Sequence, residues 1–266
     1  MGVTIGVFDS GFGGLTVLRE LLPLIPGAHY IYLGDTARLP YGSKSQTTIA
    51  RYAVESARFL EARGAEHLVI ACNTASALAM DEIRAAVRIP VTGVIEPVVE
   101  AAQRRHPDAS VLVLATSATV QSHAYQAHCA DHGLGAYEKA CPLLVPLVEE
   151  GWVDHPVTRD VLRIYMREAL ADCSPKAVLL GCTHYPLIAP AIEVALQELG
   201  SGAEVIDSAR ATATAIARTI RLAHTATTGA ATFHCYATDS VEKFARLGGQ
   251  FLGQPIAQVE LLDLGG

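Results

Sequence analysis

Charge is scarce in this sequence, and so are the features that mark a membrane span, a nucleic-acid surface or a secreted scaffold. Asp, Glu, Lys and Arg supply 18% of 266 residues, against a hydrophobic share of 50%. An ordinary globular domain carries about 25% charge, so this chain is outside the disordered class and must bury much of its surface on both sides of its elements. The basic residues form no stripe and the net charge is −7 with a pI near 5.8, which leaves no electrostatic footprint for nucleic acid or an anionic membrane. No apolar run approaches the roughly 20 residues of a membrane span. Met1 to Gly6 carries no charged region and meets Asp9, so neither a signal peptide nor a myristoylation site is expected. The six cysteines include no C-x-x-C pair, and in a full-sized chain that pattern reads as reduced thiols rather than a disulfide framework. The expectation is a cytoplasmic protein with no membrane or nucleic-acid partner.

What is present is a repeated alternation. Short apolar runs (3–8, 30–33, 67–71, 91–94, 111–115, 177–180 and 203–206) read as buried parallel strands. Amphipathic stretches lie between them: 45–63 with Ser45 as N-cap and Gly64 at its end, 75–87 closed by Pro90, and 158–171. This predicts an α/β protein with mainly parallel, doubly wound sheets. No Ser/Gly-rich or Pro-rich linker divides it, yet the strand-to-loop pattern occurs twice. Runs ending in Asp9-Ser10 and Cys72-Asn73-Thr74 are matched by runs ending in Thr116-Ser117-Ala118-Thr119 and Cys182-Thr183-His184. Two similar lobes facing a shared cleft are therefore expected: residues 1–96 with 208–266, carrying Asp9 and Cys72, and residues 97–207, carrying Glu149, Cys182 and His184.

Ligands of open parallel sheets bind beyond the carboxyl ends of the strands. Cys72 and Cys182 both fall there, each before a helix start, where free N–H groups are expected to pull a thiol from its usual pKa of about 8.5 toward neutrality. Two thiols facing one small molecule can take a proton from one face and return one to the other. Taken alone, either cysteine is as well explained as a small core residue. Asp9 reads as a turn former or as a group holding a substrate ammonium; His184 reads as a partner of the nearby thiol or as a satisfied structural imidazole.

Six segments together resemble the glutamate racemases: Phe8-Asp9-Ser10-Gly11-Phe12-Gly13-Gly14-Leu15-Thr16-Val17, Gly34-Asp35-Thr36-Ala37-Arg38-Leu39-Pro40-Tyr41-Gly42, Ala71-Cys72-Asn73-Thr74-Ala75-Ser76, Gly93-Val94-Ile95-Glu96-Pro97, Cys141-Pro142-Leu143-Leu144-Val145-Pro146 and Gly181-Cys182-Thr183-His184-Tyr185-Pro186. The likeness runs in order to about residue 208. It implies a cofactor-independent isomerase interconverting L- and D-glutamate for peptidoglycan, and hence for cell-wall biogenesis and cell shape. By that resemblance Cys72 and Cys182 are the acid/base pair, and Asp9, Glu149 and His184 assist. Ser10, Tyr41, Gly42, Asn73, Thr74 and Thr183, with Asp9 and His184, would bind the amino acid. Glu150 stands beside Glu149 as a competitor for its place. Homodimers are common in the family, although no exposed apolar stripe can be picked out here.

The residues agree with a cofactor-free reading. Racemisation has no energetic direction, and the Gly42-Ser43-Lys44-Ser45 stretch lacks the earlier glycine of a phosphate loop. Lys44, Lys139, Lys176 and Lys243 are the available Schiff-base lysines, and none ends a predicted strand. A dinucleotide fingerprint at Gly11-Phe12-Gly13-Gly14-Leu15-Thr16 fails at Thr16, where the third glycine belongs. His123, His128, Cys129 and His132 share one predicted helix without a second ligand group, so a polar helix face is preferred to a metal site and no metal is expected. Cys129, Cys141, Cys173 and Cys235 are read as structural. Two rivals stay open: a racemase of aspartate or another amino acid on the same scaffold, and a two-lobed amino-acid-binding protein without catalysis.

Overall fold

The computed structural model describes residues 2–223 and 229–264. Among them the strands are β1 (Thr4–Asp9), β2 (His29–Gly34), β3 (His67–Ile70), β4 (Val91–Gly93), β5 (Ser110–Ala115), β6 (Gly135–Ala140), β7 (Ala177–Gly181), β8 (Glu204–Asp207), β9 (Thr232–Ala237) and β10 (Val259–Leu261). They form two wholly parallel sheets, one of six strands in the order β10-β9-β2-β1-β3-β4 and one of four in the order β6-β5-β7-β8. The chain leaves the larger sheet after β4 and returns to it at β9.

The sheets are apolar on both faces, which is why their strands read as continuous hydrophobic runs. Along β5, Leu112 and Leu114 enter one buried cluster while Val111 and Val113 enter another. Ile5 and Val7 of β1 join the first of these, and Phe8 turns to a third cluster with Leu33, Leu68 and Ile70. The cluster holding Leu112 and Leu114 continues from one sheet to the other, through Val7, Leu15, Val178 and Leu180. The helix Ser208–Ala223 packs on both Leu15–Leu21 and Ile95–Arg105, so it joins the two halves.

Ser45 caps the helix Gln46–Ala62 by accepting from the Thr48 amide at 3.4 Å, and Gly64 turns the chain at φ +92°. The single helix expected over 75–87 is two, Asn73–Leu78 and Met80–Ala86, broken where Ala79 leaves helical backbone at φ −139°. His123 lies outside the helix it was expected to share with His128. At φ +54° it is the left-handed joint between Ser117–Ser122 and Ala124–Asp131.

Candidate active site

Loops following β1, β2, β3, β5, β6 and β7 open on one cleft of about 470 Å³. Cys72 and Cys182 both line it, one from each sheet and each 5% exposed. Ser10, Tyr41, Gly42, Asn73, Thr74, Thr183, His184 and Glu149 line it as well. Asp9 does not reach the wall; it is buried behind the loop that follows β1.

Cys72 is the N-cap of Asn73–Leu78. Its sulfur accepts from the Ala75 amide at 3.4 Å and lies 3.5 Å from Ser10 Oγ, which it meets as a donor. The expectation that the helix start lowers this thiol is overturned. Burial, and then the Asp9 charge, push it up to about 12, outweighing its hydrogen bonds with Ser10 and Ala75. At rest Cys72 is therefore a thiol, an acid rather than a base.

Cys182 is built differently. No α-helix begins at it: a 3-10 turn (Tyr185–Ile188) comes first and the α-helix starts only at Ala189. Its neighbour is instead the His184 imidazole, with Nδ1 3.9 Å from the sulfur and Nε2 3.2 Å from Glu149 Oε1. Burial pulls His184 down, but the Cys182 and Glu149 contacts and charges prevail and hold it at about 10, so it keeps its proton at neutral pH. Burial likewise raises Glu149, and the His184 contact with Lys243 behind it reverses this, leaving the carboxylate below its usual range. Phe12 and Phe251 pack against the imidazole at ring-centroid distances of 6.1 and 5.0 Å. The geometry is that of a sulfur facing a protonated imidazole.

Asp9 fills the turn-forming role its sequence context allowed, and it does not line the cleft where a substrate ammonium would sit. One oxygen accepts from the Gly11 amide at 2.9 Å, as a turn former does, while the other is buried without a partner among the described residues. Burial raises its carboxyl, opposed by the His184 charge and the amides of Gly11, Gly14 and Ser10. The glycines beside it serve close packing between the halves of the molecule. A Cβ at Gly13 would stand 2.3 Å from Thr183 Oγ1 and 2.7 Å from His184 Nδ1, and Thr16, the residue that breaks the dinucleotide fingerprint, donates to the Thr183 carbonyl at 3.0 Å. Gly13→Ala is therefore expected to displace His184 and lower turnover by about 100-fold, the usual cost of misplacing a reacting group by an ångström, with a smaller fall in Tm. Unchanged kinetics in the purified variant would show that the contact yields freely.

Tyr41 donates to Asp35 Oδ2 at 2.5 Å, and Arg38 Nε reaches both oxygens of the same carboxylate at 2.9 and 2.8 Å. Thr238 donates to Asp35 Oδ1 from the strand end of β9. Asp35 is thus the buried anchor of the segment that brings Tyr41 and Gly42 to the cleft. The wall also includes Thr116, Ser117, Gln121 and Lys44, which were not singled out as binding residues. Thr116 and Ser117 were findable, since they end a predicted strand as the cysteines do. Gln121 and Lys44 carry no comparable signal. Among the described residues no arginine lines the cleft, and Lys44 and His184 are the basic side chains on its wall.

One reason given against a metal site needs correcting. Glu96 and Glu100, from the helix Ile95–Arg105, do stand within 4.8 Å of His132. These groups are already paired, His128 with Glu96 at 2.6 Å, His132 with Glu96 at 3.4 Å and Arg104 with Glu100 at 3.1 Å, which makes this a half-exposed ion-pair face.

The family described as Asp/Glu/Hydantoin racemase matches residues 5–216. A glutamate racemase of Koribacter versatilis is 50% identical over 98% of this chain and 98% of its own. Among solved structures, the glutamate racemase of Thermus thermophilus in complex with β-chloro-D-alanine is 40% identical with a TM-score of 0.88, covering 99% of this chain and 98% of that one. The glutamate racemase of Francisella tularensis in complex with D-glutamate is 34% identical, again with a TM-score of 0.88 and coverage of 99% and 98%.

Proposed function

Since this chain belongs to the Asp/Glu/Hydantoin racemase family, we propose that it interconverts L- and D-glutamate by two-thiol acid/base chemistry and supplies the D-isomer for peptidoglycan in the cytoplasm. The observation that carries the reading is the unequal state of two cysteines on one small cleft: Cys72 kept protonated by burial and Asp9, Cys182 set against a protonated His184.

In this reading the Cys182 thiolate removes the Cα hydrogen of one enantiomer. The electron pair left on Cα takes the Cys72 proton on the opposite face. The enzyme that results holds the proton on Cys182 and the charge on Cys72, which is the form that runs the reaction in reverse. Atoms and charge balance without an electron sink, so the carbanion depends on donors already in place and on water exclusion. Asn73, Thr74 and Thr183 would supply the first. Asp9 would act from behind the wall by keeping Cys72 protonated, and Glu149 by keeping the charge on His184.

Incubation of L-glutamate in D2O tests this. The D-isomer formed early is expected to carry solvent deuterium at Cα while recovered L-glutamate does not, because separate thiols serve the two faces; NMR and circular dichroism read both quantities. Glutamate bound without Cα exchange would make the chain a binding protein, and faster turnover of L-aspartate would make it a racemase of that substrate.

A further inference from the structure

Asn73 is the first residue of the helix after Cys72, 3% exposed and on the cleft wall. Its carboxamide is half satisfied. Oδ1 accepts a 2.6 Å hydrogen bond from Tyr125 Oη, while Nδ2 is buried with no partner among the described residues. A carboxamide can present either end, and which end faces the ligand decides whether the cleft offers a donor or an acceptor.

Tyr125 settles that choice. It belongs to the helix Ala124–Asp131 against the four-stranded sheet, whereas Asn73 follows β3 of the six-stranded sheet, and its side chain is fully buried. Burial first, and then the Cys129 and Cys182 sulfurs, hold the phenol far above its ordinary range. It keeps its proton, and a buried O–H requires an acceptor. Donation to Oδ1 turns both hydrogens of Nδ2 away from Tyr125, leaving them for a ligand. Next to it Thr74 Oγ1 meets Thr116 and Thr119 hydroxyls at 3.1 and 3.2 Å, so the start of this helix is tied across the two halves at consecutive residues.

We infer that Tyr125 is a positioning residue for the reaction, fixing the Asn73 carboxamide with its N–H groups toward a substrate carboxylate whenever the two halves are together. This rests on the glutamate reading above. A flipped amide would turn oxygen toward the anion and leave the phenol proton unpaired, so both errors are disfavoured by one bond.

Tyr125→Phe keeps the ring and removes the proton. In the folded variant KM for both enantiomers is expected to rise about 10- to 100-fold with kcat changed less than about threefold, the loss of one set donor. Asn73→Ala added to it should cost little more, because the two residues act as a unit. Unchanged KM in folded Tyr125→Phe, or losses that simply add, overturn the inference. Where Tyr125→Phe does not fold, Asn73→Asp decides. It retains an acceptor for Tyr125 but offers the cleft oxygen, so glutamate affinity by calorimetry should fall as far as in Asn73→Ala at unchanged Tm, and retained affinity overturns the inference. Wild-type turnover is measured in parallel. Its absence, with glutamate still bound, removes the catalytic reading while leaving the amide's orientation to be judged by these affinities; absence of binding removes both.

Discussion

Alanine at Cys72 or at Cys182 is expected to lower racemisation about 10³- to 10⁴-fold, the range for losing a positioned acid or base, with the double variant little worse than either single one because the pair acts as a unit. The informative measurement is Cα exchange in D2O. With one thiol gone, the other can still remove the hydrogen that points at it, but no acid stands opposite, so the carbanion is reprotonated on the face it came from. Cys72→Ala should therefore exchange the Cα hydrogen of one enantiomer without inverting it, while Cys182→Ala, left with a thiol that keeps its proton up to about 12, should exchange that of the opposite enantiomer far more slowly. Both cysteines are buried, so Tm is read alongside to show that the loss is chemical. Full activity of either variant, or exchange of the same enantiomer by both, would remove the two-face mechanism.

Why the two thiols need different surroundings follows from that cycle. A pair that was neutral at rest would lack a base, and a pair ionised at rest would lack an acid. The scaffold repeats the strand-end position and then departs from symmetry. Cys72 has an α-helix start and a buried carboxylate behind it, while Cys182 has a 3-10 turn and a charged imidazole beside it. Local sequence shows the repeat but hides the departure. Cys72 was legible as a helix N-cap, yet its proton affinity is set by burial and by Asp9, more than sixty residues away in the chain, which no spacing rule reports.

The same division runs through the fold. Strands buried on both faces, such as β1, β3, β5 and β7, were visible because every residue contributes to a core. Missed were β6, β9 and β10. Both β6 and β10 are edge strands whose charged residues break the apolar run, Glu138 and Lys139 in Gly135–Ala140 and Glu260 in Val259–Leu261. In β9, Thr232 and His234 interrupt the apolar run. At the site, Cys72, Asn73, Cys182 and Thr183 were legible from their places at strand ends, whereas Tyr125 was not. It lies inside a helix, and only the approach of the two sheets brings its hydroxyl to Asn73.

His184→Asn should reverse the pH dependence of the reaction. In the wild type the imidazole is protonated up to about 10 and the Cys72 thiol up to about 12, so the cation beside Cys182 and the opposing acid coexist across the neutral range. Activity is expected to be nearly flat there and to fall as pH rises through about 10, where His184 loses its proton and the Cys182 sulfur its counter-charge. Asparagine can still hydrogen-bond but cannot carry charge. The variant should therefore lose about 100-fold at pH 7, within the range for a lost acid/base partner, and then recover with rising pH, because the base must now form without a counter-charge beside it. Glu149→Gln should fall between the two: His184 stays but loses the carboxylate that helps keep its proton, moving the alkaline fall of the wild type to lower pH. Profiles of kcat/KM from pH 6 to 10.5 for the three proteins decide the point. A His184→Asn profile parallel to the wild type would mean that the imidazole only holds the loop in place, and the charge on Cys182 would then need another source.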